Sequence, residues 1–156
     1  MPSIPKPTKA TRKKKVKKSK LQKKKDDHYS SYWLRKSDSM FVEIFHTIAN
    51  PYCCAVCGIN ENLEMHHLIP RQNYCYRWHV ENMILLCSDH HKYNIEVSAH
   101  GSPMNFALYI KSNYPNKWLF IRKNQAVITR KKELPFTFKE KYFDLLDTAN
   151  KMNLGE

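Results

Sequence analysis

Residues 63–71, with the sequence LEMHHLIPR, carry two adjacent histidines near the end of a short apolar segment. Pro70 limits this segment, because proline cannot donate a hydrogen bond to a neighbouring strand, and the pattern predicts a short β-strand. Successive side chains of a strand point to opposite faces. His66 and His67 are therefore either ordinary surface or core histidines, or two residues with different roles at one site.

The residues around this strand predict the rest of a central unit. The segment 53–60 (CCAVCGIN) is predicted to form a tight turn, in which Gly58 supplies the backbone freedom. After a polar, aromatic-rich loop, the apolar segment 83–87 (MILLC) predicts a second strand. Residues 88–100 are predicted to be helical in their first half, with Ser88 as the N-cap. The expected order is turn, strand, loop, strand and helix.

Helices are predicted on both sides of this unit, which makes the expected fold class α+β. An apolar stripe predicts a helix in residues 37–51. Its candidate N-caps are Ser37, Asp38 and Ser39. A capping box formed by Thr137 and Glu140 predicts the start of a C-terminal helix. Two further helices and a short strand are predicted at residues 102–115, 115–124 and 125–130.

The net charge of +13 is concentrated in an N-terminal arm, residues 1–28. Twelve Lys or Arg residues and no acid lie between Lys6 and Lys25, so the rest of the chain is almost neutral. Self-repulsion and the lack of apolar surface predict that the arm is disordered when free. Nucleic acid is its expected partner, and a solubilising tail is the alternative. The arm residues chosen as predicted contacts are Lys13, Lys14 and Lys15.

The sequence contains no segment that approaches the roughly 20 apolar residues of a membrane span. Its basic N-terminus also lacks the apolar core of a secretory signal. A reducing, cytoplasmic location without a membrane partner is therefore expected. In such a compartment, five cysteines are more often metal ligands or free thiols than disulfides.

Two pairs of ligand-type residues predict a structural Zn²⁺ site. The predicted ligands are Cys54, Cys57, Cys87 and His90. Two residues separate the members of each pair, and 29 residues separate the pairs. Two short pairs that converge from separate turns supply the four tetrahedral thiolate and imidazole ligands of a closed zinc site. The remaining thiols, Cys53 and Cys75, are predicted to be ordinary.

The segments LEMHHLIPR, VENMILLC and CSDHH resemble the HNH nucleases, a family with the ββα-metal fold. The resemblance extends from about residue 54 to residue 91. Its signature is His67, Asn82 and His91, separated by 14 and 8 residues and nested within the two zinc pairs. A weaker resemblance to small phage-type HNH proteins continues through residues 98–103 (SAHGSP).

The resemblance implies a fold and a division of labour among the histidines. The implied fold is a ββα-metal motif, stabilised by the zinc site and flanked by helices. His66 would be the first ligand of a catalytic divalent cation, Mg²⁺ or Mn²⁺, and His91 would be the second. His67 would be the general base, whose unperturbed pKa near 6.5 suits proton transfer at neutral pH. Asn82 would hold the loop that orients this base.

Two features depart from the family pattern. The last zinc ligand is His90 rather than the commoner cysteine, so an exchange of roles between His90 and His91 stays open. Colicin-type members carry a further metal ligand where this chain has Ile95, for which His100 is a possible substitute.

Charged and aromatic residues flank the motif. Arg71, Arg77 and Lys92 are predicted to contact phosphates, although each alone is nearly as well explained as a solvated charge. Three aromatic residues are predicted either to stack on bases or to pack over the zinc site: Tyr74, Tyr76 and Trp78.

The leading hypothesis is a metal-dependent DNA endonuclease that nicks or cleaves double strands by hydrolysis. The alternative is a non-catalytic, zinc-stabilised nucleic-acid-binding protein, which would have no use for the surplus imidazoles. The predicted parts are the arm (1–28), an HNH nuclease domain with its preceding helix (29–102) and a mainly helical extension (103–156). Monomer and homodimer are both open, and a phage-encoded protein would act in the cytoplasm of its bacterial host.

Overall fold

The computed structural model describes residues 18–126, 129 and 131–152 of the chain. Within these residues a two-stranded antiparallel sheet lies among helices, which confirms the predicted α+β class. The strands are β1 (Leu63–His67) and β2 (Met83–Cys87). The helices are α1 (Lys20–Asp26), α2 (Ser31–Ile48), α3 (Pro103–Asn113), α4 (Pro115–Asn124) and α5 (Phe138–Lys151). Shorter helical turns are Val80–Asn82, Lys131–Glu133 and the π-helical turn Asp89–Tyr93.

Strand β2 is buried on both faces, which explains its uninterrupted apolar sequence. Because successive side chains alternate between faces, Met83 and Leu85 join one hydrophobic core. Ile84 and Leu86 join a second core on the opposite face. The two cores therefore meet at this strand, which is the central element of the fold.

The first core lies between the hairpin and two helices from distant parts of the chain. It contains Phe41 and Phe45 from α2 and Leu145 and Ala149 from α5. All four side chains are at most 7% exposed. The C-terminal helix therefore packs on the helix that precedes the hairpin.

The second core is covered by the helices that follow the hairpin. Phe106 and Ile110 of α3 are buried in it, and Trp118 and Ile121 of α4 pack against it while remaining partly exposed. Pro103 and Pro115 stand at the beginnings of these two helices, where a missing backbone N–H costs little. Helices α3 and α4 were both predicted from the sequence, and both predictions are confirmed.

Helix α2 begins at Ser31, earlier than the predicted caps. Ser37 is fully buried in the helix, where its Oγ donates to the carbonyl of Phe138 at 3.1 Å. Asp38 is also inside the helix and binds Arg77. The predicted start was wrong because these polar side chains have partners from distant parts of the chain and do not cap the helix.

The arm is only partly described, and its described portion differs from the prediction. Residues 1–17, including the predicted contacts Lys13, Lys14 and Lys15, lie outside the described residues. Lys20–Asp26 form helix α1, whose N-cap Ser19 accepts from the amide of Gln22 at 3.1 Å. Trp33 Nε1 donates to the carbonyl of Lys25 at 3.0 Å and connects α1 to α2. In this portion the cap and this contact stabilise a helix, whereas the sequence predicts disorder for the free arm.

The remaining local predictions have mixed outcomes. The capping box is confirmed, because the amide of Thr137 donates to Glu140 Oε2 at 2.6 Å and the amide of Glu140 donates to Thr137 Oγ1 at 3.2 Å. Ser88 stands at the predicted N-cap position, but its side chain makes no capping hydrogen bond, and only one π-helical turn follows it. Of the strand predicted at 125–130, positions 127, 128 and 130 lie outside the described residues. No helix in the described part of the chain has the length and apolarity needed to cross a membrane.

Candidate metal centres and catalytic site

The predicted zinc residues form a cluster in the structure. Its four members are Cys54, Cys57, Cys87 and His90, and one ligand atom from each lies within 4.8 Å of the others. The sulfur atoms of Cys57 and Cys87 are 3.8 Å apart, and Cys87 Sγ lies 3.2 Å from His90 Nδ1. Tetrahedral zinc with bonds of about 2.3 Å to sulfur separates its sulfur ligands by about 3.8 Å. The cluster therefore has the donor set and the spacing for a structural zinc ion.

The turn that carries the first pair of ligands is fixed by backbone contacts. The amide of Gly58 donates to the carbonyl of Cys54 at 2.9 Å, and Gly58 has a φ of 77°, which glycine adopts without strain. The amide of Ala55 donates to the carbonyl of Leu85 at 2.9 Å and holds the turn against β2. The predicted role of Gly58 in this turn is confirmed.

Burial and neighbouring polar groups shift the pKa values of two thiols in the cluster. Burial opposes ionisation of Cys54, but hydrogen bonds with backbone groups of Cys87, Cys57 and Val56 outweigh it and lower the pKa of Cys54. Desolvation, followed by the neighbouring thiols, raises the pKa of Cys57 to about 11. Thiols packed this closely repel one another as thiolates, and a cation between them relieves that repulsion.

Three imidazoles form a second cluster beside the first. The ring centroids of His66 and His91 are 5.1 Å apart, and the ring of His100 lies 5.1 Å from His66 and 4.9 Å from His91. One nitrogen from each ring lies within 4.8 Å of the others. His90 belongs to the cysteine cluster and His91 to this one, so the two adjacent residues divide as the resemblance implied.

The first ring of this cluster is held in its neutral form. Burial, followed by repulsion from His91 and His100, lowers the pKa of His66 to about 3. Its ring also makes an edge contact with Phe106, at 5.7 Å between ring centroids. A neutral imidazole offers a lone pair, which is the form that binds a metal ion.

Glu64 orients His91, and sequence reasoning missed it. Its Oε2 accepts a hydrogen bond from His91 Nδ1, and its Oε1 accepts from Lys92 Nζ at 2.7 Å. The hydrogen bonds from Lys92 and then from His91 lower the pKa of Glu64. A carboxylate that holds Nδ1–H leaves Nε2 free, as in carboxylate–histidine–metal arrangements. The available signal was its position two residues before His66, on the same face of β1.

His67 lies on the opposite face of β1 from His66, as the alternation of a strand requires. Its Nε2 is 3.0 Å from the carbonyl oxygen of Arg77. A carbonyl only accepts, so Nε2 carries the proton and the lone pair of Nδ1 is left free. Burial lowers the pKa of His67, which favours the neutral ring at pH 7. The ring lines a cavity of about 390 Å³, together with Arg71 and His46.

Asn82 connects both ends of the loop between the strands. Its Oδ1 accepts from the amide of Ile69 at 2.6 Å. Its Nδ2 donates to the carbonyl of Ile69 at 3.0 Å and to that of Tyr76 at 2.9 Å. The side chain is fully buried, and its two contacts with Ile69 satisfy buried backbone groups. Asn82 thereby holds the loop whose Arg77 carbonyl contacts His67.

The flanking cations have different environments. Arg77 is 8% exposed and its guanidinium binds Asp38, which gives it a structural role in place of the predicted phosphate contact. Arg71 is exposed at the rim of the cavity beside His67. Lys92 is also exposed, and its amine binds Glu64. Arg71 is therefore an exposed cation that lines the same cavity as His67.

The aromatic residues of the loop serve mainly in packing. Trp78 is 6% exposed, and its Nε1 donates to Asp38 at 3.0 Å. Tyr74 packs on Phe138, with ring centroids 5.2 Å apart. Packing accounts for both residues, but the surface they cover is that of the first core and not the zinc site.

Comparison with known proteins gives a family match that covers this part of the chain. Neither a curated protein nor a solved structure gives a significant match to the chain. Residues 54–93 match a family model described as HNH endonuclease, and this range includes both strands, the cysteine cluster and two of the three clustered imidazoles. The resemblance inferred from the sequence is therefore confirmed for residues 54–93, which are similar to the HNH endonucleases.

Proposed function

We propose that the protein is a metal-dependent DNA endonuclease that hydrolyses phosphodiester bonds with His67 as the general base. The match of residues 54–93 to the HNH endonucleases supports a nuclease at the family level. The observation that carries the mechanism is the division of work between neighbours in β1. His66 joins His91, while His67 turns to the other face with Nδ1 unprotonated.

The reaction requires a water molecule to attack phosphorus. As the water oxygen bonds to phosphorus, its proton passes to His67 Nδ1, and the bond from phosphorus to the 3′ oxygen breaks. The leaving oxygen is protonated by solvent, so the products are a 5′-phosphate and a 3′-hydroxyl. The carbonyl of Arg77 holds Nε2–H throughout, which keeps the ring in the tautomer that accepts at Nδ1.

His66 and His91 are the proposed ligands of the catalytic cation, and their fit rests on their paired rings and on the Glu64 contact to His91. A divalent cation such as Mn²⁺ or Mg²⁺ would supply Lewis-acid stabilisation of the charge that develops on the phosphate and leaving oxygens. Arg71, exposed beside His67, is proposed to orient the phosphate.

The three parts of the chain are proposed to have different roles. The arm, residues 1–28, supplies sequence-independent affinity through phosphate contacts by residues that include Lys13, Lys14 and Lys15. Residues 29–102 form the nuclease domain. Residues 103–156 support it, because α5 shares a core with α2 and β2. Neutralising six to ten phosphates would make affinity fall roughly 10³ to 10⁵-fold between 50 and 200 mM salt.

The decisive test is plasmid nicking by purified protein with Mn²⁺ or Mg²⁺, comparing the parent with His67→Ala. Loss of a positioned base is expected to slow cleavage about 10² to 10⁴-fold while DNA binding is retained. His79→Ala is the matched control, because His79 is an exposed histidine that pairs with Glu81. Equal cleavage by His67→Ala would disprove the mechanism. Plasmid that is bound but never cut by the parent would favour the non-catalytic nucleic-acid-binding alternative.

A further inference from the structure

His100 completes the group of imidazoles from outside the matched family segment. It lies nine positions after His91, in the turn that leads into α3. Its ring is within 5.1 Å of both other rings, centroid to centroid. His100 is exposed, so a cation bound by its ring would be accessible to solvent and to substrate.

Backbone hydrogen bonds connect this turn to the two adjacent histidines of the π-helical turn, one from each cluster. The amide of His100 donates to the carbonyl of His91 at 3.0 Å. The amide of Ala99 donates to the carbonyl of His90 at 3.0 Å. The position of His100 is therefore tied directly to the backbone that carries one ligand from each cluster.

A buried serine organises the same turn. Ser98 is fully buried, and its Oγ donates to the carbonyl of Asn94 at 2.6 Å. The same oxygen accepts from the amides of Gly101 at 2.9 Å and Ser102 at 3.1 Å. One hydroxyl thus joins the beginning and the end of the turn around His100.

Gly101 allows the close approach that this arrangement needs. A Cβ at position 101 would lie 2.5 Å from Ser98 Oγ and 2.9 Å from the carbonyl oxygen of Lys92. Real Cβ atoms do not approach that closely, so any larger residue must displace the turn. The backbone conformation of the turn that carries His100 is consequently restricted.

We propose that His100 is a third ligand of the catalytic cation, positioned by Ser98 and Gly101. We further propose that the site takes a transition-metal ion such as Zn²⁺, Co²⁺, Ni²⁺ or Mn²⁺ in preference to Mg²⁺. This proposal extends the proposed function, and the description of the cation as catalytic rests on that function. Among the described residues, this cluster contains three imidazoles and no carboxylate. Imidazole suits the later first-row metals, whereas Mg²⁺ selects oxygen ligands.

The test measures metal binding in the absence of DNA. Full-length protein carrying one equivalent of Zn²⁺ is titrated separately with Co²⁺ and with Mg²⁺, by calorimetry and visible absorption. Co²⁺ is expected to bind the parent at least about 100-fold more tightly than Mg²⁺. It should show ligand-field bands without the thiolate bands that would report displacement of zinc.

Substitutions in the turn around His100 test whether this turn contributes to Co²⁺ binding. His100→Ala is expected to weaken Co²⁺ binding at least about tenfold and to change its absorption bands, and Gly101→Ala to weaken it in the same direction. His100→Gln serves if the alanine variant loses its zinc, because it keeps a side chain of similar length. His79→Ala, at an exposed histidine paired with Glu81, should leave Co²⁺ binding unchanged.

Two results would overturn the inference: Mg²⁺ binding as tight as Co²⁺ binding, or His100 variants with the parent's Co²⁺ affinity and spectrum. These results are distinct from failure of the proposed function. Protein that binds Co²⁺ as described but never cuts DNA would keep the metal site and remove the nuclease. Protein that cuts DNA, but whose His100 variants bind Co²⁺ as the parent does, would keep the nuclease and remove His100 as a ligand.

Discussion

The guanidinium of Arg77 binds both carboxylate oxygens of Asp38 at 2.7 Å, and the carbonyl of the same arginine contacts His67. A single residue thus connects the middle of α2 to the proposed general base. Asp38 also accepts from Trp78 Nε1. The carboxylate therefore holds the last part of the loop between the strands.

Asp38→Ala should destabilise the protein and slow cleavage together. Arg77 would be left buried and without its counter-charge, and loss of one partner of such a pair costs about 3 kcal/mol. The loop carbonyl that orients His67 would then be less well placed, so kcat should fall more than DNA affinity. Urea unfolding and plasmid nicking measure the two effects. The matched control is Asp147→Ala, at an exposed pair with Lys151, for which a change below about 0.5 kcal/mol is expected.

Removal of a zinc ligand should abolish metal retention. Cys54→Ser replaces a ligand that is 1% exposed, and the tightly held zinc that survives extensive dialysis, measured by elemental analysis, is expected to fall from one per chain to a trace. Structural zinc contributes folding free energy directly, so the variant should also unfold at lower urea concentration. Cys75→Ser is the control, because Cys75 is outside the cluster. Full zinc content in Cys54→Ser would contradict the assignment.

Asn82→Ala should loosen the loop between the strands. The substitution leaves the amide and carbonyl of Ile69 and the carbonyl of Tyr76 without their partner, and unsatisfied buried groups cost about 1–3 kcal/mol each. A loss of about 3 kcal/mol in the free energy of unfolding is expected, after partial relaxation. Asn113→Ala, at an exposed asparagine near the end of α3, should change stability by less than about 0.5 kcal/mol. Similar losses in the two variants would show that the contacts of Asn82 are unimportant.

Lys117 should make stability depend on pH. Its Nζ donates to the carbonyl of Met83 at 2.7 Å, and burial lowers its pKa below 10.5, while Glu81 opposes the shift. Between the folded pKa and 10.5 the unfolded chain binds more protons than the folded chain, so stability rises with pH in this window. Relative to Lys117→Met, which cannot titrate, the parent should gain stability as the pH rises from 7 towards 10.5. Urea unfolding at several pH values measures the difference, and a difference that stays constant would rule out the effect.

Local spacing accounts for the features that were predicted correctly from the sequence. The two metal-ligand pairs, the strands and the capping box of α5 depend on residues that are close together in the chain. A β-strand alternates and a helix repeats over a few residues whatever the rest of the fold does, so these patterns can be read directly. The division between His66 and His67 was predictable for the same reason.

The incorrect predictions and the missed residues depend on contacts between residues that are far apart in the chain. Ser37 and Asp38 have the chemistry of N-caps, but their partners Phe138 and Arg77 are far away in the sequence, so they lie inside α2. The same distance hid the structural role of Arg77. A residue type alone does not reveal whether a charge is solvated or paired.

From its residues alone, this chain specifies two ligand pairs, a hairpin and adjacent imidazoles on opposite faces, because backbone geometry over short distances dictates them. Only the tertiary structure decides that Glu64 orients His91, that His100 joins the same cluster and that Arg77 is held by Asp38. These relationships depend on which segments pack together around β2. That packing minimises exposed apolar surface over the whole chain, and no local pattern encodes its result.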